Sequence, residues 1–99
     1  MSKQSDLLRE VAEVVAGARN KNYGPPSVNL DERTAALWRA YFAAKDSQYV
    51  SGIDVCNMMI LLKMARIMED WQHKDNYADI AGYAAAAWEI ADDFVDRII

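Results

Sequence analysis

Val55–Met68 reads VCNMMILLKMARIM, and only Asn57, Lys63 and Arg66 in it are strongly polar. The run is too long for a strand and carries no glycine or proline, so it is a helix, apolar on nearly every side. Such a helix is buried all round, and the spacing predicts a central helix over about 52–71, or one at a subunit interface. Lys63 and Arg66 then share a face, being three apart. A buried charge needs an acidic partner, a ligand or an exit to water.

Working outward, Ser51 with Asp54 three residues later marks the start of this helix. A first helix is expected over about 6–20. Ser5 is its N-cap, and Leu7, Leu8, Val11, Val14, Val15 and Ala18 recur at helical spacing. Gly24, Pro25 and Pro26 forbid its continuation. A second, over about 30–45, opens on an Asn29–Glu32 capping box and buries Leu30, Ala35, Leu37, Trp38, Tyr41 and Phe42. A fourth, over about 76–98, starts at Asp75 or Asn76 and contains the small-residue stretch AGYAAAAWEIA. Gly82 within it marks a close approach, because glycine inside a helix costs about 1 kcal/mol relative to alanine. The expected fold is all-α: one four-helix-bundle-like domain of 99 residues. So much apolar surface on four helices predicts a homo-oligomer, most simply a two-fold dimer.

Composition narrows the function. Gly and Pro total six, too few for a turn-rich sheet fold, and a net charge of −4 does not favour direct nucleic-acid or anionic-membrane binding. The lone Cys56 allows no internal disulfide and no paired-cysteine zinc site. MSKQSDLLRE has no apolar signal core, and no apolar run approaches the roughly 20 residues of a membrane span. A cytoplasmic protein without repeats is the expectation.

Three clusters carry chemistry. Lys63 and Arg66 either pair with acids of the fourth helix or hold a phosphate, Arg66 by a bidentate contact and Lys63 as a point charge. In HKDNYADIAGY, Asp75, Asp79 and Tyr83 fall on one stripe, and two carboxylates one turn apart suit Mg²⁺ with substrate phosphates. The bland alternative makes Asp75 a cap and Asp79 a complement to the helix dipole. His73, Lys74 and Tyr77 lie beside them. In RNKNYGPPSVN, Arg19 and Lys21 offer charge and Tyr23 a ring at a rigid turn, though the helix dipole alone accounts for the cations. One cysteine in an apolar run and one histidine in a loop make no nucleophilic dyad.

The ordered set KNYGPPSVN, LWRAY, DVCNMMILLKMARI and HKDNYADIAGYAA, spanning Arg19 to Ala87, resembles a family of small helical proteins of phages and prophages. That family is distantly similar to the all-α nucleoside triphosphate pyrophosphohydrolases of the MazG kind. The resemblance implies a MazG-like fold, an oligomer, and Mg²⁺ held by Glu-x-x-Glu and a later Glu-x-x-Asp. This chain departs from that pattern. Its only Glu-x-x-Glu is Glu10–Glu13 on the first helix, its central helix carries Lys63 and Arg66 instead of acids, and the later motif is reduced to Asp75 and Asp79.

The leading expectation is therefore binding of a nucleotide-like phosphate ligand, as in sequestering a nucleotide signal of host defence, in the host cytoplasm. Arg19, Lys21, Tyr23, Lys63, Arg66, His73, Lys74, Tyr77 and Tyr83 would serve it. The alternatives are a Mg²⁺-dependent pyrophosphohydrolase using Asp75 and Asp79, and a non-enzymatic bundle in which Lys63 and Arg66 pair with those acids.

Overall fold

The computed structural model describes residues 2–16 and 23–98, without the side chains of residues 95–98. Four helices and no strand are found among them. Helix α1 spans Lys3–Ala16, α2 Ala35–Lys45, α3 Gly52–Glu69 and α4 Lys74–Ile98. A π-wound stretch, Ser27–Thr34, leads directly into α2.

The helix starts are set by local chemistry. Ser51 Oγ accepts from the Asp54 N–H while Asp54 accepts from the Ser51 N–H, so the expected capping box opens α3. The other expected caps are corrected, Asp75 and Asn76 because both lie inside the helix that begins at Lys74. Ser5 lies inside α1, and its N–H is capped by Ser2 Oγ at 3.1 Å. Asn29 lies inside the helical stretch that Pro26 already opens, with no side-chain cap. There the Ala35 N–H reaches back five residues to Leu30 O, and Thr34 Oγ donates to Asn29 O at 2.6 Å. The stretch starts ahead of the predicted Leu30 because Pro26 already opens it. Asp46, in the left-handed region at φ 57°, closes α2 with its N–H on Phe42 O. Helix α3 ends at Glu69, before the expected Trp71, and α4 begins at Lys74, before the expected Asn76. The predicted end of α1 near Asn20 lies outside the described residues.

The main packing is α3 antiparallel to α4. Lys63 reaches Asp79, and a methyl group at Gly52 would sit 3.1 Å from Ile90 Cδ1. The two pairs fix one register along both helices, and in it Asn76 is level with Arg66. Helix α2 and the π-wound stretch lie against α3, where Trp38 Nε1 donates to Met58 O at 2.7 Å.

The central helix is not buried all round. Asp54, Cys56, Lys63 and Ala65 are its buried residues, while Val55, Met64 and Met68 face solvent. The three neighbouring elements, α4, α2 and the π-wound stretch, do not wrap a helix apolar on every side. The stripe on α1 (Leu7, Leu8, Val11, Val14, Val15) is likewise exposed, as are Leu30 and much of α4. Around Gly82 nothing lies within 4 Å of where a side chain would begin, so the expected close approach is not made by any of the described residues. Among the described residues no helix is long and apolar enough to cross a membrane.

Candidate functional site

The site forms where the π-wound stretch meets the C-terminal half of α3. Gly24 has φ +78°. That left-handed conformation favours glycine, and a Cβ there would come within 2.8 Å of the Glu69 carboxyl carbon, so that side chain would have to shift. That turn lays the Tyr23 ring against α3, and the Arg66 guanidinium sits 4.1 Å from its centre. His73 meets the same ring edge-on at 6.1 Å. Glu69 is drawn the other way, to Arg33 at 2.9 Å, so it does not neutralise Arg66.

Beside this stack is a cavity of about 230 Å³, lined by Tyr23, Gly24, Pro26, Asn29, Leu30 and Arg66, with Val15 of α1 closing one side. Two of its lining residues each carry an unpaired buried polar atom. Among the described residues, Arg66 Nε and Asn29 Oδ1 are buried without a hydrogen-bond partner, and so is Asn76 Nδ2. Asn29 is 4% exposed and Asn76 1%. Each such group costs about 1–3 kcal/mol, and native structures hold few of them. Both atoms belong to residues that line the cavity, though each atom is itself shut off from solvent.

The sequence-predicted residues divide. Tyr23, Arg66 and His73 are brought together. Lys63, buried to 11% of its side chain, is instead locked to Asp79 at 2.7 Å, as the bland reading had it. Asp79 is half exposed, with Tyr83 and Gly82 beside it on a shallow outer depression. Asp75 is exposed, 3.9 Å from His73 Nε2. Lys74 points to solvent, and exposed Tyr77 spends its hydroxyl on Trp71 O at 2.8 Å. Arg19 and Lys21 lie outside the described residues. Among the described residues no three His, Cys, Asp or Glu side chains converge as a metal site would require. Asn29 and Asn76 were read only as caps. Their one sequence signal is an amide at the edge of a cationic motif.

A second polar centre went unread. Asp54, buried, receives Tyr41 Oη and Lys45 Nζ at 2.5 Å each and Ser51 Oγ at 2.9 Å, and Asn57 Nδ2 donates to Tyr41 Oη at 3.1 Å. The Lys45 ammonium, with the Ser51 and Tyr41 hydrogen bonds, holds the Asp54 carboxyl far below the usual carboxylate range. Both its carboxylate oxygens are engaged, so it acts as a clasp between α2 and α3 rather than as a ligand site.

The family model described as "Domain of unknown function (DUF6378)" matches residues 6–91. The chain belongs to the DUF6378 family. The Gene 55 protein of Mycobacterium phage D29 is 38% identical over 90 residues, covering 91% of this chain and 56% of that protein. The Gene 55 protein of Mycobacterium phage L5 is 45% identical over 78 residues, covering 79% and 47%. This DUF6378 chain thus spans about half the length of the curated relatives it matches, and those relatives are phage proteins. No solved structure matches it.

Proposed function

We propose that this phage-type helical protein binds a nucleotide-like, phosphate-bearing small molecule in the cavity beside Arg66 and retains it. One observation carries the reading: a guanidinium stacked on Tyr23 belongs to a residue that lines a cavity, and among the described residues no carboxylate pairs with it. Arginine's planar fork suits a phosphate, and the aromatic face beneath it holds the fork in place. Asn29 lines the same cavity with its Oδ1 buried and unpaired, and His73 meets the Tyr23 ring edge-on. Lys63 is assigned to the fold instead, because its ammonium already has a carboxylate.

Retention is favoured over a MazG-like, Mg²⁺-dependent hydrolysis by the same ion pair. The acids that would hold the metal are Asp75 and Asp79, and Lys63 already occupies one oxygen of Asp79. In a phage, holding a nucleotide without converting it is what sequestering a host-defence signal requires. The chain is read as working in the host cytoplasm as a homo-oligomer, in keeping with the apolar surface one copy leaves open.

Incubation with a nucleotide panel, with and without Mg²⁺, followed by heat denaturation and chromatography, tests the reading. The expected result is a nucleotide recovered unaltered, with Arg66→Lys weakening retention about tenfold, some 1.4 kcal/mol. Lysine keeps the charge but loses the fork and the stack. Metal-dependent pyrophosphate release overturns retention, and indifference to the whole panel overturns the ligand reading.

A further inference from the structure

The outer surface of α4 carries an apolar stripe that no described residue covers. Tyr77, Ala81, Ala84 and Trp88 are spaced four, three and four apart, so they fall on one face of the helix. All four are exposed, Tyr77 at 49% and Trp88 at 69%. Tyrosine and tryptophan are the residues that anchor protein interfaces.

The area points to what covers it. The chain exposes 7324 Å², whereas a compact chain of its mass exposes roughly 5,700 Å². The excess, roughly 1,600 Å², is that of the whole chain, the exposed α1 stripe included, and falls within the about 1,000–2,500 Å² that each partner of an obligate homodimer hides. The radius of gyration agrees: 16.8 Å against about 13 Å for a compact domain of this length.

We infer that two copies of this chain pair through this stripe, their α4 helices antiparallel about a two-fold axis between Ala81 and Ala84. The inference names the surface for the association proposed above and does not depend on the ligand. The stripe is its own complement in shape. With the axis there, Tyr77 meets the partner's Trp88, and Ala81 meets the partner's Ala84. Small residues let the helix backbones approach at the centre, and aromatic rings fill the two ends. It is also its own complement in charge. Lys74 and Asp92, both exposed, lie on the same flank of the stripe by the helical period. In an antiparallel pair like flanks meet, so Lys74 faces the partner's Asp92, and symmetry makes the contact twice.

Sedimentation equilibrium of the full chain at micromolar concentration tests this. The expected mass is twice 11.2 kDa. A81E should yield a monomer of unchanged helical circular dichroism, since Ala81 is exposed within one copy. K74E and D92K should each weaken the dimer about tenfold, each replacing two attractive contacts with two repulsive ones. The double variant K74E/D92K should restore it, a result that mere loss of folding cannot produce. A monomeric native chain overturns the inference, as does a dimer indifferent to A81E or double charge reversal without rescue.

Discussion

Lys63 and Arg66 sit one turn apart on α3 and meet different fates. Lys63 enters a nearly closed interface and is neutralised by Asp79 at 2.7 Å, whereas Arg66 lies flat on Tyr23 with Nε unanswered. Removing one member of a buried pair costs more than replacing the charge with an apolar group of similar shape. Asp79→Asn should therefore lower stability by about 1–3 kcal/mol, tempered by the carboxylate's exposure. Lys63→Met should be neutral or stabilising. Urea unfolding midpoints of the two variants check this, and the opposite order would show that the pair is not holding the helices. The shared face was legible from a spacing of three. Which of the two cations was to be paired was not, because the choice lies with the register of α4, some sixteen residues further along the chain.

At the scale of elements, the joint between α2 and α3 depends on one carboxylate. Asp54 closes the capping box of α3 and gathers Tyr41 and Lys45 from α2. Its pKa is depressed in the folded chain, so folding favours its charged form. The stabilisation is fully present above the unfolded value of about 3.9 and is lost as pH falls toward the folded one. Thermal stability should therefore drop as pH is lowered below about 4, and Asp54→Asn should flatten that part of the profile while lowering stability at neutral pH. An unchanged acid profile in the variant would mean other carboxylates govern it. Serine followed by aspartate at the third place was enough to read the helix start. The contacts from Tyr41 and Lys45 cross a turn whose path no local pattern records. The π-wound stretch was unread for a similar reason: Asn29 and Glu32 match a cap by spacing, but Pro26 had already begun the helix.

Across the whole molecule, one copy is stretched, with extents of 54 × 32 × 27 Å, and its fully buried apolar side chains are few. Cys56 and Ala65 are the buried hydrophobic residues among those described. A chain with so small a core gains much of its stability from what covers it. If two copies supply that cover, unfolding is coupled to dissociation, and the melting temperature should rise with protein concentration. Scanning calorimetry over a concentration series reads this directly, and a fixed melting temperature would point to a self-sufficient monomer.

The all-α class, the capping box of α3 and the need for two cations of one helix face to be answered were all determined by the sequence alone. Periodicity and capping are local properties of the chain, acting over three or four residues. The tertiary structure decided what distance in sequence hides: which cation meets Asp79, how Gly24 lays Tyr23 beneath Arg66, and which faces of α3 and α4 stay open. Those depend on helices packing in one register, and a register is a property of pairs of elements, not of either one.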